Sequence, residues 1–152
     1  MTDDMTYRSD FALRAVDGTI LALVEVKNRE DLSPEVAASI RRNRIVHGLH
    51  PARYFLLLSQ DKGYIWRDGG RGGRSAPPTA EFSMKEVIGR YLPDRDPTER
   101  LKGVQLELII GKWLDDMTTS MLRQPTSAET ALASTRFLDD IEGASVLVES
   151  HV

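Results

Sequence analysis

Three side chains near the N-terminus have the types and spacing for metal-assisted phosphate chemistry: Asp10, Glu25 and Lys27. Two carboxylates brought together repel each other, and a cation between them reverses the sign of that interaction. Mg²⁺ prefers hard oxygen ligands, often one or two carboxylates completed by water and substrate phosphate. A lysine beside them adds a point charge able to hold a phosphate or the attacking water. An acid-x-Lys triplet alone carries little weight, since this composition yields about one by chance. Its weight comes from the elements that must bring Asp10 to it.

Residues 7–16 and 19–27 are rich in apolar and β-favouring residues, with Asp17-Gly18 between them. Asp-Gly flanked by such runs predicts a hairpin with a two-residue turn. In that register Val16 opposes Thr19, and Asp10 opposes Glu25. Alternation along the strand puts Lys27 on the same face as Glu25. Phe11, Leu13, Ile20, Val24 and Val26 then form the buried face, and the polar triad occupies an open one.

Ser33-Pro34 reads as an N-cap and first helical residue, opening a helix to about Leu49 with Val36, Ala37, Ile40 and Val46 inward. Residues 53–60 and 64–67 read as strands joined through Asp61-Lys62-Gly63. A glycine-arginine loop covers 68–80. Helices are expected at 83–91, 98–122 and 127–139, the second with a stripe of Leu106, Ile110, Trp113, Met117 and Met121, and a last strand at 145–149. The class is α/β (α+β) in a single domain over 1–152: a ββαββ core at 7–67, a loop, and a mostly helical remainder from 81.

Residues 7–67 resemble the PD-(D/E)XK restriction-endonuclease-like superfamily. The pattern runs Ser9-Asp10, the Asp17-Gly18 turn, and LALVEVK ending in Glu25-Val26-Lys27, then a helix, the apolar run YFLLLSQ and the turn and strand QDKGYIWR. Ser9 stands where the family usually has proline. The closest flavour is the small stand-alone or N-terminal nuclease domain of type I restriction subunits. The resemblance implies a mixed sheet flanked by helices with its active site on the hairpin. It implies Mg²⁺ or Mn²⁺ held by Asp10, Glu25 and the Val26 carbonyl, with Lys27 orienting the water that cleaves DNA or RNA. Only nine residues precede Asp10, too few for the helix many members place before the first strand. That motivates an alternative, a weak or inactive nuclease-fold module serving nucleic-acid binding or assembly, as a homodimer or part of a larger complex. In that version Glu25→Gln is expected to raise stability by relieving carboxylate repulsion.

Arg41, Arg42 and Arg44 on the first helix, with Arg71 and Arg74 in the loop, are the candidate phosphate contacts. Net charge is −3, divided as +2 over residues 1–76 and −5 over 77–152, which places a polyanion on the N-terminal half. The absence of cysteine excludes disulfides, zinc–cysteine sites and thiol catalysis. No apolar run reaches the length of a membrane span and no leader is visible, so a cytoplasmic protein with DNA as its expected partner is the sequence reading. His47 and His50 sit at a frayed helix end with no third ligand, Asp115-Asp116 reads as a solvated face, and Trp66 and Trp113 read as core.

Overall fold

The computed structural model describes residues 9–48, 52–67, 76–96, 98–121 and 124–149. Met1 to Asp4, His50, Arg71 and Arg74 lie outside them. The described residues form one six-stranded mixed sheet and five helices. In chain order these are β1 (Phe11–Arg14), β2 (Ile20–Val26), α1 (Pro34–Val46), β3 (Tyr54–Leu58), β4 (Lys62–Arg67), β5 (Ala80–Ser83), α2 (Lys85–Tyr91), α3 (Gly103–Thr118), α4 (Ser127–Ser134), α5 (Phe137–Ile141) and β6 (Ser145–Val148). The sheet order is β5-β4-β3-β2-β1-β6, and the β2–β3 pair is parallel while the others are antiparallel. The parallel pair follows from the chain between them, since a crossover through a helix is what parallel neighbours require.

Both faces of the sheet are covered, not one. Phe11, Leu13, Val24, Tyr54, Leu56 and Ile65 pack against a core completed by Ile88, Leu106, Ile110, Trp113, Leu132 and Phe137. On the opposite face Ala12, Leu23, Phe55, Leu57, Tyr64 and Trp66 meet α1 through Ala37. Burial on both faces explains why YFLLL reads as a continuous apolar run rather than an alternating one.

The hairpin differs from its predicted turn. The Ala15 N–H donates to the Thr19 carbonyl and the Gly18 N–H to the Ala15 carbonyl, closing a three-residue loop of Val16, Asp17 and Gly18. Gly18 takes a φ of 93°, the left-handed conformation such loops need after their turn. The extra loop residue shifts the pairing, so Arg14 faces Ile20. A bulge then leaves Leu21 opposite no residue of β1, and Leu13 faces Ala22, Ala12 faces Leu23 and Phe11 faces Val24. Two one-residue departures cancel, so from Leu13 to Phe11 the pairing is the expected one; the ladder ends there, and the Asp10 N–H donates to the Val24 carbonyl in place of the expected opposition of Asp10 and Glu25. Ile20, placed on the other side of the bulge, packs with the α1 face instead of the predicted one.

Three other expectations change. Residues 80–83, read as loop and helix start, form β5 on β4. The long helix begins at Gly103, not Thr98, because Leu101 is tied to the sheet: its N–H donates to Gln60 Oε1 at 2.9 Å and its carbonyl accepts from Asn28 at 3.0 Å. Met121 falls beyond this helix and is exposed. The 127–139 helix is split into α4 and α5 at Arg136, whose φ of 71° ends one helix and starts the next. Among the described residues no helix is long and apolar enough to cross a membrane.

Candidate functional site

Asp10 lies one residue before β1, and Glu25 follows the β2 residue that faces Phe11. The Asp10 N–H donates to the Val24 carbonyl at 3.0 Å, and its carbonyl accepts from Glu149 of the segment after β6 at 2.9 Å. Its carboxylate turns onto β2: Oδ2 accepts from the Val26 N–H at 2.6 Å. This is a charge-assisted bond to the strand that carries Glu25-Val26-Lys27, and it ties the end of β1 to the end of β2. In an antiparallel ladder a residue's N–H and C=O point to the same neighbouring strand. The Val26 carbonyl therefore points to the side of β2 on which Asp10 sits.

Glu25 is 4 % exposed. It is two residues from Leu23, so it shares the face that α1 covers. There Arg44 reaches it: the Nε–H lies between the carboxylate oxygens, 2.8 Å from Oε1 and 3.1 Å from Oε2. Lys27, half-buried, places Nζ 3.9 Å from Oε2. A buried carboxylate needs such partners, because an uncompensated charge in a low-dielectric setting is expensive. The described cations beside Glu25 come from the protein, so Glu25→Gln is expected to lower stability where carboxylate repulsion alone would raise it.

The three helix arginines do not form one surface. Arg41 is 1 % exposed and stacks on Trp66, its guanidinium carbon 5.3 Å from the ring centroid, where burial lowers its pKa. Arg44 points inward at Glu25, and Arg42 alone of the three is on the exposed side. The expectation of a three-arginine phosphate patch is corrected by helix periodicity. Ala37, Arg41 and Arg44 are spaced i, i+4 and i+7, the buried stripe of an amphipathic helix. The same spacing makes Val46 exposed rather than inward.

Residues that the sequence left aside brace the site. Gln60, 4 % exposed, donates to Asn28 Oδ1 and accepts from the Leu101 N–H, while Asn28 also donates to the Leu101 carbonyl. This clamp fixes the residue immediately after Lys27. The Lys27 N–H itself donates to the Leu58 carbonyl at 2.8 Å, so its backbone is held by β3. Asp116 is not simply solvated, since it accepts from the Tyr91 hydroxyl at 2.6 Å and pairs with Lys112. His47 is exposed, its Nδ1 2.8 Å from the Asn43 carbonyl. Among the described residues no group of three or more His, Cys, Asp or Glu converges as a metal cluster.

The donor set nevertheless suits a hard divalent cation: a carboxylate at Asp10, a carboxylate at Glu25 and a strand carbonyl at Val26 are all oxygens of the kind Mg²⁺ and Mn²⁺ take. Two carboxylates with water and phosphate oxygens are sufficient for such an ion, which seldom has an all-protein cage. No protein-family model, curated protein or solved structure matches the chain.

Proposed function

We propose that the chain is a metal-dependent nuclease of the PD-(D/E)XK kind, acting on the phosphodiester bonds of DNA or RNA. The observation that carries this reading is the bond from the Val26 N–H to Asp10, which joins one acid to the strand bearing Glu25 and Lys27. The order of elements supports it too: an antiparallel hairpin, a helix, and a strand parallel to the second hairpin strand follow one another as the family's core does.

Asp10, Glu25 and the Val26 carbonyl would hold Mg²⁺ or Mn²⁺. Such an ion, when bound, polarises a phosphoryl oxygen and lowers the pKa of a coordinated water. Lys27 does the rest from this chain: its ammonium orients the attacking water and offsets charge growing on the phosphate oxygens. Its backbone anchoring to β3 and the Asn28–Gln60–Leu101 clamp hold it in place, as a catalytic group needs. Arg42, on the exposed side of α1, contributes a backbone phosphate contact, with Arg71 and Arg74 proposed in the same role.

The test is cleavage of supercoiled DNA, linear DNA and RNA with Mg²⁺ or Mn²⁺. Activity is expected in the wild type and abolished in Asp10→Ala, Glu25→Ala and Lys27→Ala. Wild-type protein that is inert on all three nucleic acids and binds no Mn²⁺ overturns the reading. A second reading, a nuclease-fold module without turnover, draws support from Arg44, which already neutralises Glu25. It predicts nucleic-acid binding or assembly that is indifferent to divalent ions and unchanged in Lys27→Ala.

A further inference from the structure

We propose that Arg44 gates metal occupancy of the site: its guanidinium and a divalent cation compete for Glu25, and the ion binds only as Arg44 is displaced. This rests on the nuclease reading and adds a regulatory residue to it.

The competition follows from where the guanidinium sits. One N–H of Arg44 covers both oxygens of Glu25, at 2.8 and 3.1 Å. An incoming cation meets a fixed positive charge at either oxygen, and like charges at such range disfavour each other strongly. Burial sharpens the exclusion. At 4 % exposure Glu25 has little water to screen a second cation from the first.

Displacement is open to Arg44 and closed to its neighbour. Arg44 lies in the last turn of α1, with its side chain 21 % exposed and a glycine at φ 94° just past the helix end. Its side chain already meets solvent in part, and its contact to Asn43 Oδ1, from Nη1 at 3.4 Å, is long and exposed. Arg41, one turn earlier, is sealed over Trp66. Lys27 stays 3.9 Å from Glu25 and keeps its own half-exposed position, so the gate and the proposed catalytic cation are separate groups.

Coupling between two ligands of one site is reciprocal: what Arg44 costs the metal, the metal costs Arg44. Mn²⁺ binding to the full-length protein, measured calorimetrically in the absence of nucleic acid, tests this. Arg44→Gln is expected to tighten Mn²⁺ binding roughly 5- to 150-fold, the usual span of such couplings. Arg44→Lys, which keeps the charge but loses the planar guanidinium, is expected to tighten it less. In wild-type protein titrated with diamagnetic Mg²⁺, the Arg44 Nε–H resonance is expected to shift in step with binding. If Arg44→Gln fails to fold, Arg44→Lys and the resonance carry the test. Wild-type protein that binds the ion while Arg44 variants bind no tighter, or while the resonance stays still, overturns the gate and leaves the nuclease reading standing. Absence of ion binding in wild type and variants alike overturns both.

Discussion

Two buried glutamates in this molecule are paired with arginine, and they differ in what else holds them. Glu129, 1 % exposed, accepts from both Nη atoms of Arg90 at 2.6 and 2.9 Å, from the Trp113 indole at 2.6 Å and from the Thr126 N–H at 2.8 Å. Burial alone would raise its pKa, but the Arg90, Thr126 and Trp113 bonds outweigh that and hold it below the ordinary value. It caps α4 and joins α2, α3 and α4 in one network. At Glu25 the described partners are two cationic side chains, Arg44 and Lys27. A metal replacing Arg90 at Glu129 would compete for oxygens that also accept from the buried Trp113 and Thr126 donors, and any donor it displaced would cost its full desolvation. Displacing Arg44 returns a charged side chain to water. The first arrangement is suited to holding helices together, and the second is the one that the proposed exchange of Arg44 for a metal ion would use.

The largest expected effect sharpens the structural half of this contrast. Glu129→Ala removes one partner of a buried ion pair and is expected to cost about 3–5 kcal/mol, toward the lower end because Arg90 keeps some solvent. Urea unfolding reads it as a fall in midpoint, with Mn²⁺ binding unchanged in the folded fraction. A loss below about 1 kcal/mol, the range of an exposed pair, would erase the distinction. Glu25→Gln is expected to lose less, about 1–3 kcal/mol, since one charge-assisted bond is weakened and Arg44 can hydrate; it should also abolish ion binding. A gain in stability there would restore the carboxylate-repulsion picture.

Acid probes the Glu129 arrangement directly. A carboxylate whose folded pKa lies below its unfolded value contributes stability that is complete above the unfolded pKa and lost as pH falls through the folded one. Glu129 fits this case, with an ordinary value of 4.5. Asp140, lowered chiefly by the Tyr54 hydroxyl and also by Arg53, fits it as well. Unfolding free energy is therefore expected to drop as pH falls below about 4.5, and the slope to be shallower in Glu129→Gln. An unchanged slope would mean that Glu129 is not a controlling group. The smallest effect belongs to Lys27→Met, which breaks a long, half-exposed contact: less than about 0.5 kcal/mol in stability, against complete loss of cleavage. A large stability loss there would make Lys27 structural.

How much of this was legible in the sequence depends on the range of the signal. The strands around Asp17-Gly18, the Ser33-Pro34 helix start, the YFLLL strand and the final strand follow from local pattern, and the structure contains each of them. Ser33 caps α1 as read, its hydroxyl accepting from the Val36 N–H. The split of α4 from α5 was not legible, because nothing in the residue type of Arg136 demands a positive φ. Neither was β5, whose partner β4 is separated from it in the chain by residues 68–79. At the site, Asp10, Glu25 and Lys27 could be named from turn and spacing, but their partners came from elsewhere. Arg44 was visible as part of a cluster, yet charge count drew the eye to the surface. The i, i+4, i+7 spacing from Ala37 was the better guide. Gln60 and Asn28 act through the Leu101 backbone, a contact across more than seventy residues that no local pattern carries.

The bulge at Leu21 has a consequence for how this hairpin can change over time. Because one strand already holds a residue without a counterpart, chain length at the turn is uncoupled from pairing at the far end. Removing Leu21 would give a regular ladder in which Leu13 still meets Ala22 and Phe11 still meets Val24. The loop end can gain or lose a residue by trading with the bulge, while Asp10 and Glu25 keep their neighbours. The hairpin behaves like a joint with slack built in, free to drift in length at one end and fixed at the other.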